Sequence, residues 1–332
     1  REGSSMPHLL EVKNLTTVFQ GDGGEMTSVD GISFFVDSGE ILCLVGESGC
    51  GKSVTSLSLM GLLGRGGRVS AGEALFEGKD LLDMKEEELD RLRGDRISMS
   101  FQDPLTSLNP VFTIGRQITE SIRVHMGFSR AKADERALSL LNKVGMPDAK
   151  AAMKKYPHML SGGQRQRVMI AMALACNPRL LIADEPTTAL DVTIQAQIME
   201  LIRQLRRELN MSVILITHDI GLVAQMADRV MVMYAGQIVE QAPVLELFDH
   251  PAHPYTRALL QSVPSVPRMG KGRTTGENRL ESIGGVVPEH YDQITGCRFA
   301  DRCPYCEERC HEPQKERQAG ETHLVRCWKE VR

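Results

Sequence analysis

A glycine-rich loop between a predicted strand and a predicted helix constrains this chain most. Glu40–Val45 is a continuous apolar run, typical of a parallel strand buried on both faces. Val54–Leu63 is long enough to form a helix. Between them, Gly46–Ser53 reads GESGCGKS and matches G-x-x-x-x-G-K-[ST] in full. Because the motif requires a strand before it and a helix after it, the context disfavours a chance match in a glycine-rich turn.

The residue types in this loop suit phosphate binding. Glycines let backbone N–H groups wrap around phosphate oxygens, and the following helix N-terminus adds positive potential. Lys52 supplies a cation to the β- and γ-phosphates, and the Ser53 hydroxyl suits Mg²⁺. We therefore expect nucleotide contacts from the whole loop, which comprises Gly46, Glu47, Ser48, Gly49, Cys50, Gly51, Lys52 and Ser53.

Further apolar runs predict an α/β fold with a parallel sheet. Leu180–Ala183 and Val213–Thr217 are buried-strand candidates, and Thr193–Leu209 between them has apolar residues at helical spacing. Asp184 and Glu185 follow the first of these strands directly. An Asp at a strand end can hold Mg²⁺ and a neighbouring Glu can polarise an attacking water, although two carboxylates before a proline also suit a helix cap.

Composition excludes several classes of partner. The chain has 332 residues, 42% of them hydrophobic, with a net charge of −4 and a pI near 6.2, so we expect no nucleic acid partner. No run of eighteen apolar residues predicts a membrane span, and no signal peptide is recognisable. We interpret residues 1–5 as an expression scar and expect a cytosolic protein with reduced thiols.

A second predicted anion site identifies the kind of nucleotide hydrolase. Leu160–Gln164 reads LSGGQ and precedes a predicted helix over Arg165–Ala175. With this motif the chain resembles the ATP-binding subunits of ABC transporters. The resemblance implies a P-loop NTPase ABC cassette over residues 6–262. Its RecA-like core would carry an antiparallel β subdomain and a helical subdomain over about 103–176.

The resemblance also implies a role for each motif residue. Gln102 matches the Q-loop, which touches Mg²⁺ and the transmembrane partner; Asp191 matches the D-loop. His218 matches the switch histidine near the γ-phosphate, with a packed structural histidine as the alternative. Phe19 stands where the family places an adenine-stacking aromatic, though it equally suits a core strand. The signature residues, which complete the ATP site of the opposite subunit, are Ser161, Gly162, Gly163 and Gln164.

Three further segments resemble the dipeptide/oligopeptide importer branch, namely Phe101–Pro110, His253–Thr256 and Gly285–Pro288. The resemblance implies an ATPase at the cytoplasmic face of the membrane that drives peptide uptake. Its partners would be a second ATP-binding subunit (related or identical), two transmembrane permease subunits and, indirectly, a substrate-binding protein. A nickel importer remains an alternative. A soluble ABC ATPase of repair or translation, or a module without turnover, is disfavoured by the single cassette and the intact Glu185 and His218.

The C-terminal extension, residues 263–332, begins with a predicted linker over 264–289 and then carries five cysteines. Spacing alone suits zinc at Cys303, Cys306 and Cys310, with an iron–sulfur cluster or free or disulfide thiols as alternatives. The family resemblance instead implies a 4Fe–4S cluster on Cys297, Cys303, Cys310 and Cys327, in which Cys306 departs from the family pattern. A structural role for the cluster is favoured over electron transfer.

Three cysteines lie outside the extension. Cys43 and Cys176 are expected to serve packing. Cys50, near Lys52 and a helix N-terminus, is expected to have a lowered pKa and to be alkylated more slowly when ATP is bound, unless it merely fills a tolerant loop position.

Overall fold

The apolar runs of the sequence form strands that are buried along their whole length. The computed structural model describes residues 8–21, 23–188, 190–262 and 283–329. Ile41–Val45, Leu180–Asp184 and Ser212–Thr217 are strands in which every residue is buried. Each lies within one residue of its predicted bounds, because a strand buried on both faces needs an unbroken apolar run.

The described chain contains both strands and helices. The strands are β1 (Leu10–Gly21), β2 (Gly24–Val36), β3 (Ile41–Val45), β4 (Gly67–Phe76), β5 (Lys79–Asp80), β6 (Ile97–Ser100), β7 (Leu180–Asp184), β8 (Ser212–Thr217), β9 (Arg229–Tyr234), β10 (Gln237–Pro243), β11 (Arg317–Gln318) and β12 (Leu324–Val325). The α-helices are α1 (Lys52–Leu59), α2 (Glu86–Leu92), α3 (Pro104–Ser107), α4 (Ile114–Met126), α5 (Arg130–Lys143), α6 (Ala149–Ala152), α7 (Gly162–Ala173), α8 (Val192–Leu209), α9 (Ile220–Met226), α10 (Val244–Asp249) and α11 (Pro254–Gln261). Short 3₁₀ helices cover Pro157–Met159, Tyr291–Gln293, Ala300–Arg302 and Glu308–His311.

One compact unit contains the described residues of Arg1–Phe35, Ile41–Leu82 and Thr217–Arg332. It has a sheet of order β2-β1-β4-β5, in which β4 pairs with β1 and β5 antiparallel, and a second run of strands in the order β11-β12-β10-β9-β3. β3 pairs with β9 in parallel, whereas β10 pairs with β9 and β12 antiparallel. The C-terminal segment therefore extends the sheet that holds β3.

The other unit contains Val36–Glu40 and Asp83–Ile216. β6, β7 and β8 form a parallel arrangement with β7 in the middle. The helices between β6 and β7 are α3 to α7, and the longer pair, α4 and α5, buries an apolar stripe on each helix. This unit positions the acidic pair, the Q-loop glutamine and the signature residues.

Three predicted helices are present, but each begins before its predicted first residue. The N-cap of each helix explains the difference. The helix after the phosphate loop begins at Lys52, because Gly51 has left-handed backbone geometry and acts as its N-cap. α7 begins at Gly162 because the Ser161 side chain accepts a hydrogen bond from the Gln164 backbone N–H. α8 begins at Val192 because Asp191 caps it in the same way.

Some sequence predictions lie outside the described ranges. These are the interpretation of residues 1–5, Ala189 beside the D-loop aspartate, and most of the 264–289 linker. The bounds of the cassette, the helical subdomain and the C-terminal extension stay predictions. Within residues 8–329, as far as they are described, no helix combines the length and hydropathy that crossing a bilayer demands.

Candidate nucleotide-binding site and cysteine cavity

The phosphate loop joins β3 to α1, and two of its glycines are required by close contacts. A Cβ at Gly46 would stand 2.1 Å from the carbonyl oxygen of Met233. At Gly51, where φ is +103°, a Cβ would stand 2.8 Å from the carbonyl oxygen of Ser28. Neither backbone oxygen can move as a side-chain end can, so only glycine permits this loop path.

The Lys52 ammonium lies within the loop. Its Nζ donates hydrogen bonds to the carbonyl oxygens of Gly46 at 2.8 Å and Glu47 at 3.0 Å, and the residue is only 5% exposed. A buried ammonium must be satisfied by acceptors, and phosphate oxygens are stronger acceptors than carbonyls. Ser48 and Gly49 are exposed and Ser53 is half-buried on the first turn of α1.

Glu47 is held by residues from two later segments of the same unit. Its backbone N–H donates to the Tyr255 hydroxyl at 2.9 Å, and its carboxylate accepts from Arg302 at 2.7 and 3.0 Å. The Glu47 side chain is therefore engaged by the C-terminal segment. Sequence reasoning missed both contacts; His253–Thr256 was a visible motif, but nothing in it indicated a contact with the loop.

The predicted lowering of the Cys50 pKa is wrong. The residue is fully buried, and burial raises the pKa of its thiol despite the nearby charge of Lys52. The sequence shows the cation beside Cys50 but not the packing around it, and desolvation favours the neutral thiol. Cys43 and Cys176 are buried, as predicted for packing residues, and burial raises the pKa of both thiols.

The acidic pair lies at the end of β7. Asp184 is the last strand residue and is 4% exposed. Glu185 follows with φ of +44°, an uncommon left-handed conformation for a residue with a side chain. Its Oε2 accepts hydrogen bonds from Gln102 Nε2 at 2.9 Å and Thr188 Oγ1 at 2.8 Å. The structure thus brings together Gln102 and Glu185, which are 83 positions apart.

The signature residues form a reciprocal cap at the start of α7. The Ser161 hydroxyl accepts from the Gln164 backbone N–H at 3.3 Å, and the Gln164 side chain accepts from the Ser161 N–H at 3.1 Å. A Cβ at Gly163 would stand 2.8 Å from Ile194 Cγ2, so Gly163 lets α7 approach α8 closely. Gly162 opens the helix beside it.

Asp191, His218 and Phe19 lie in three different local environments. Asp191 caps α8 by accepting from the Ile194 N–H at 2.9 Å. His218 is exposed and directly follows β8. Phe19 is half-buried near the end of β1, with its ring against Gly67 of β4. These placements leave the three proposed roles open, and they show that Asp191 also has a capping role.

Four of the five C-terminal cysteines line one cavity. They are Cys297, Cys303, Cys310 and Cys327, whereas Cys306 is exposed and outside the lining. Across the part of the chain that the structure describes, no three or more His, Cys, Asp or Glu side chains are grouped as ligands of a metal ion. The four lining cysteines are the set that the family resemblance implied.

Three of the thiols that line this cavity favour protonation. Burial is the largest cause that raises the pKa of Cys297, to about 12, and neighbouring thiols act in the same direction. Burial likewise raises the pKa values of Cys303 and Cys327. The indole Nε1 of Trp328 donates a hydrogen bond to Cys310 Sγ at 3.3 Å. Thiolates here would therefore need a positively charged ligand.

His323 contacts two glutamates, of which Glu240 is buried and Glu246 is half-buried. The Glu240 carboxylate, on β10, accepts backbone N–H bonds from Ala252 and His253 and lies 2.7 Å from His323 Nε2. His323 Nδ1 lies 3.2 Å from Glu246. Burial lowers the pKa of His253 to about 4. Burial also acts to lower the pKa of His323, but its two carboxylate partners outweigh it and raise that pKa.

Comparison with known proteins places these motifs in one family. The family model described as "ABC transporter" matches residues 29–188, and the model described as "Oligopeptide/dipeptide transporter, C-terminal region" matches residues 239–310. The chain is 50% identical to the dipeptide transport ATP-binding protein DppD of Haemophilus influenzae, over 96% of this chain and 94% of that protein. It is also 50% identical to the oligopeptide transport ATP-binding protein AppD of Bacillus subtilis, over 97% of each chain.

Solved structures confirm the fold. A dimeric structure of the ABC transporter cassette MJ0796 is 28% identical, covers 71% of this chain and 98% of that chain, and has a TM-score of 0.64. The same cassette in a post-hydrolysis state bound to ADP and Pi gives 27% identity and a TM-score of 0.65. The predicted P-loop ABC ATPase cassette is thereby confirmed. The chain belongs to the ATP-binding proteins of ABC transporters, in the dipeptide/oligopeptide family.

Proposed function

We propose that this chain is the ATP-hydrolysing subunit of an importer of dipeptides or oligopeptides. The observation that carries the proposal is 50% identity, over nearly the whole chain, to a dipeptide and an oligopeptide transport ATP-binding protein. The match of residues 239–310 to the C-terminal region of such transporters supports peptides as the cargo class. It also favours a transporter subunit over a soluble ABC ATPase.

In this proposal the chain's own residues bind ATP and prepare the attack of water. The phosphate loop holds the phosphates, and Lys52 exchanges its carbonyl acceptors for β- and γ-phosphate oxygens. Ser53, Gln102 and Asp184 provide the oxygen donors that Mg²⁺ prefers, and Mg²⁺ when bound neutralises phosphate charge. Glu185 accepts a proton from the attacking water. Hydrogen bonds from Gln102 and Thr188 orient the Glu185 carboxylate.

The other motif residues act around the same nucleotide chemistry. His218 contacts the γ-phosphate, and Phe19 stacks on adenine. Two ATP-binding subunits, related or identical, pair head to tail, so that the signature residues and Asp191 of one chain complete the ATP site of the other. The dimeric cassette among the solved relatives supports this pairing. Closure and release of the pair drive two permease subunits at the cytoplasmic face of the membrane, supplied by a substrate-binding protein.

Replacing Glu185 by Gln tests the hydrolytic role. The amide preserves size and an oxygen that can accept from Gln102 and Thr188, but it cannot take a proton from water. We expect turnover to fall by about 10²–10⁴-fold while ATP binding persists. Glu200→Gln, on the exposed face of α8, is the matched control. Unchanged phosphate release from Glu185→Gln would refute the assignment.

Uptake by the reconstituted complex tests the cargo. Vesicles that contain this chain, its second ATP-binding subunit and both permease subunits are supplied with binding protein and labelled dipeptide, oligopeptide or Ni²⁺. ATP-dependent accumulation of peptide supports the proposal. Accumulation of Ni²⁺ alone would leave the ATPase assignment standing and replace the cargo.

We also propose that Cys297, Cys303, Cys310 and Cys327 hold a 4Fe–4S cluster. The proposal is supported by four thiols that line one cavity, since thiolates are the ligands of such clusters. The described side chains are not grouped as metal ligands, so the four sulfurs would have to draw together to bind the cluster. A bound cluster would supply iron–thiolate bonds that join distant parts of the C-terminal segment. The four thiols must release their protons to ligate it, and Trp328 donates a hydrogen bond to the Cys310 sulfur.

Metal analysis of anaerobically purified chains tests this assignment. We expect about four irons and four acid-labile sulfides per chain. Cys303→Ser should lose them, whereas the matched control Cys306→Ser, outside the cavity, should retain them. One zinc and no sulfide would replace the cluster by a zinc site and leave the ATPase proposal intact.

A further inference from the structure

The C-terminal cysteine segment reaches the phosphate loop through one arginine. Arg302, beside Cys303, donates from Nη1 and Nη2 to the two carboxylate oxygens of Glu47 at 2.7 and 3.0 Å. This is a bidentate ion pair, and the Arg302 side chain is only 6% exposed. The two residues are 255 positions apart. The Glu47 side chain is 29% exposed, so solvent screens the pair only in part, and the pair can influence charge in the loop.

The guanidinium is held in place by groups other than Glu47. Its Nε donates to the Gly284 carbonyl oxygen at 2.8 Å, and Nη1 also donates to the Tyr234 hydroxyl at 3.1 Å. The Tyr234 ring packs edge-on against Phe299, which lies in the same segment as Arg302. Arg302 is therefore oriented towards the loop independently of Glu47, as a preorganised charge.

Glu47 is fixed at each of its polar groups. The carbonyl oxygen accepts from Lys52, the backbone N–H donates to Tyr255, and the carboxylate accepts from Arg302. A carboxylate at this position places a negative charge within a loop of the kind that binds phosphates. Like charges a few ångströms apart disfavour one another, so Glu47 alone would weaken the binding of a polyanion.

We propose that Arg302 is a positioning residue for ATP, which cancels the Glu47 charge and holds the phosphate loop in its binding shape. The inference rests on the proposed function, since it assumes that the loop binds ATP. It gives the cysteine segment a direct part in nucleotide affinity. Arg302 itself touches Glu47 and does not need to touch the nucleotide.

A charge-cancellation cycle tests this role in the full chain. Binding of fluorescent analogues of ATP, ADP and AMP is measured at constant excess Mg²⁺ for wild type, Arg302→Gln, Glu47→Gln and the double variant. We expect Arg302→Gln to weaken ATP binding by about tenfold, the effect of roughly one uncancelled charge near the phosphates. The loss should shrink from ATP to ADP to AMP, and the double variant should recover most of it. Arg302→Lys keeps the positive charge but loses the bidentate guanidinium. Its affinity for ATP should therefore lie between those of the wild type and Arg302→Gln.

Arg298→Gln is the matched structural control. Arg298 is equally buried in the same segment and pairs with Asp30 at 2.6 Å, outside the phosphate loop. Arg298→Gln should lower the urea midpoint of unfolding. It should not weaken nucleotide binding more for ATP than for ADP or AMP. An affinity loss in Arg302→Gln that Glu47→Gln does not relieve would overturn the proposal, as would equal binding in wild type and Arg302→Gln. If Arg302→Gln does not fold, the proposal is decided by Arg302→Lys, which should bind ATP more weakly than the wild type, and by whether adding Glu47→Gln to it restores the affinity. Failure of the wild type to bind ATP would instead refute the proposed function.

Discussion

Replacing His323 by Asn tests a pH dependence that the geometry imposes. Both ring nitrogens of His323 face carboxylate oxygens, Glu240 at 2.7 Å and Glu246 at 3.2 Å. A neutral imidazole has one N–H, so only the doubly protonated ring can donate to both carboxylates. The side chain is 2% exposed, and water cannot readily replace a lost partner.

The sign follows from the direction of the shift. Burial acts to lower the pKa of His323, but Glu240 and Glu246 raise it above the ordinary value near 6.5. A folded-state pKa above the unfolded one gives stability that is fully present below the unfolded pKa and lost as the pH rises through the folded pKa. Deprotonation removes one charge-assisted hydrogen bond, so we expect a loss of about 1.5–3 kcal/mol in the free energy of unfolding.

Urea unfolding at pH 6 and at pH 9 measures this effect. The wild type should lose about 1.5–3 kcal/mol more than His323→Asn between the two pH values, because the variant has no proton to release there. Titration of the His323 ring by NMR, assigned by its absence in the variant, should give a pKa above 6.5. Glu246→Gln, which removes one carboxylate, should lower that pKa. A titration midpoint below 6.5, or parallel pH profiles for wild type and variant, would refute the reasoning.

Three further outcomes follow from contacts already described. Cys50 should resist alkylation in the native chain with or without ATP, while Cys306 reacts first; rapid labelling of Cys50 would contradict its burial. Fluorescence of Trp328, the single tryptophan, should be quenched when iron and sulfide are loaded, because its indole bonds Cys310 beside the cavity; unchanged emission from a loaded chain would oppose this. Gly51→Ala should cost about 1–3 kcal/mol of stability and most ATP binding, read from urea midpoints and nucleotide titration; wild-type affinity would contradict the contact geometry.

Local patterns predicted the parts of the fold that depend on neighbouring residues. The buried strands and the glycine loop appear in the sequence because burial on both faces and a phosphate loop each require particular residues at adjacent positions. The cap at Ser161 could also be anticipated, since its partner Gln164 is three residues away. These features need no knowledge of the rest of the chain.

Contacts between distant residues were beyond such patterns. The sequence placed Cys50 beside a lysine and predicted a reactive thiol, but burial by other strands and helices decided its pKa. The bidentate pair of Glu47 with Arg302 joins segments with no shared motif. Likewise, nothing near His323 indicated that Glu240 would lie within hydrogen-bond distance. Tertiary packing sets each of these contacts, and only the folded chain reveals it.

The ion pair of Glu47 and Arg302 also has a consequence for protein synthesis. Its members are 255 residues apart, and a ribosome adding about 5–20 residues per second makes Glu47 about 13–50 s before Arg302. Throughout that interval the nascent phosphate loop carries its acidic residue without the arginine. The loop therefore reaches its final charge only after Arg302 has been made.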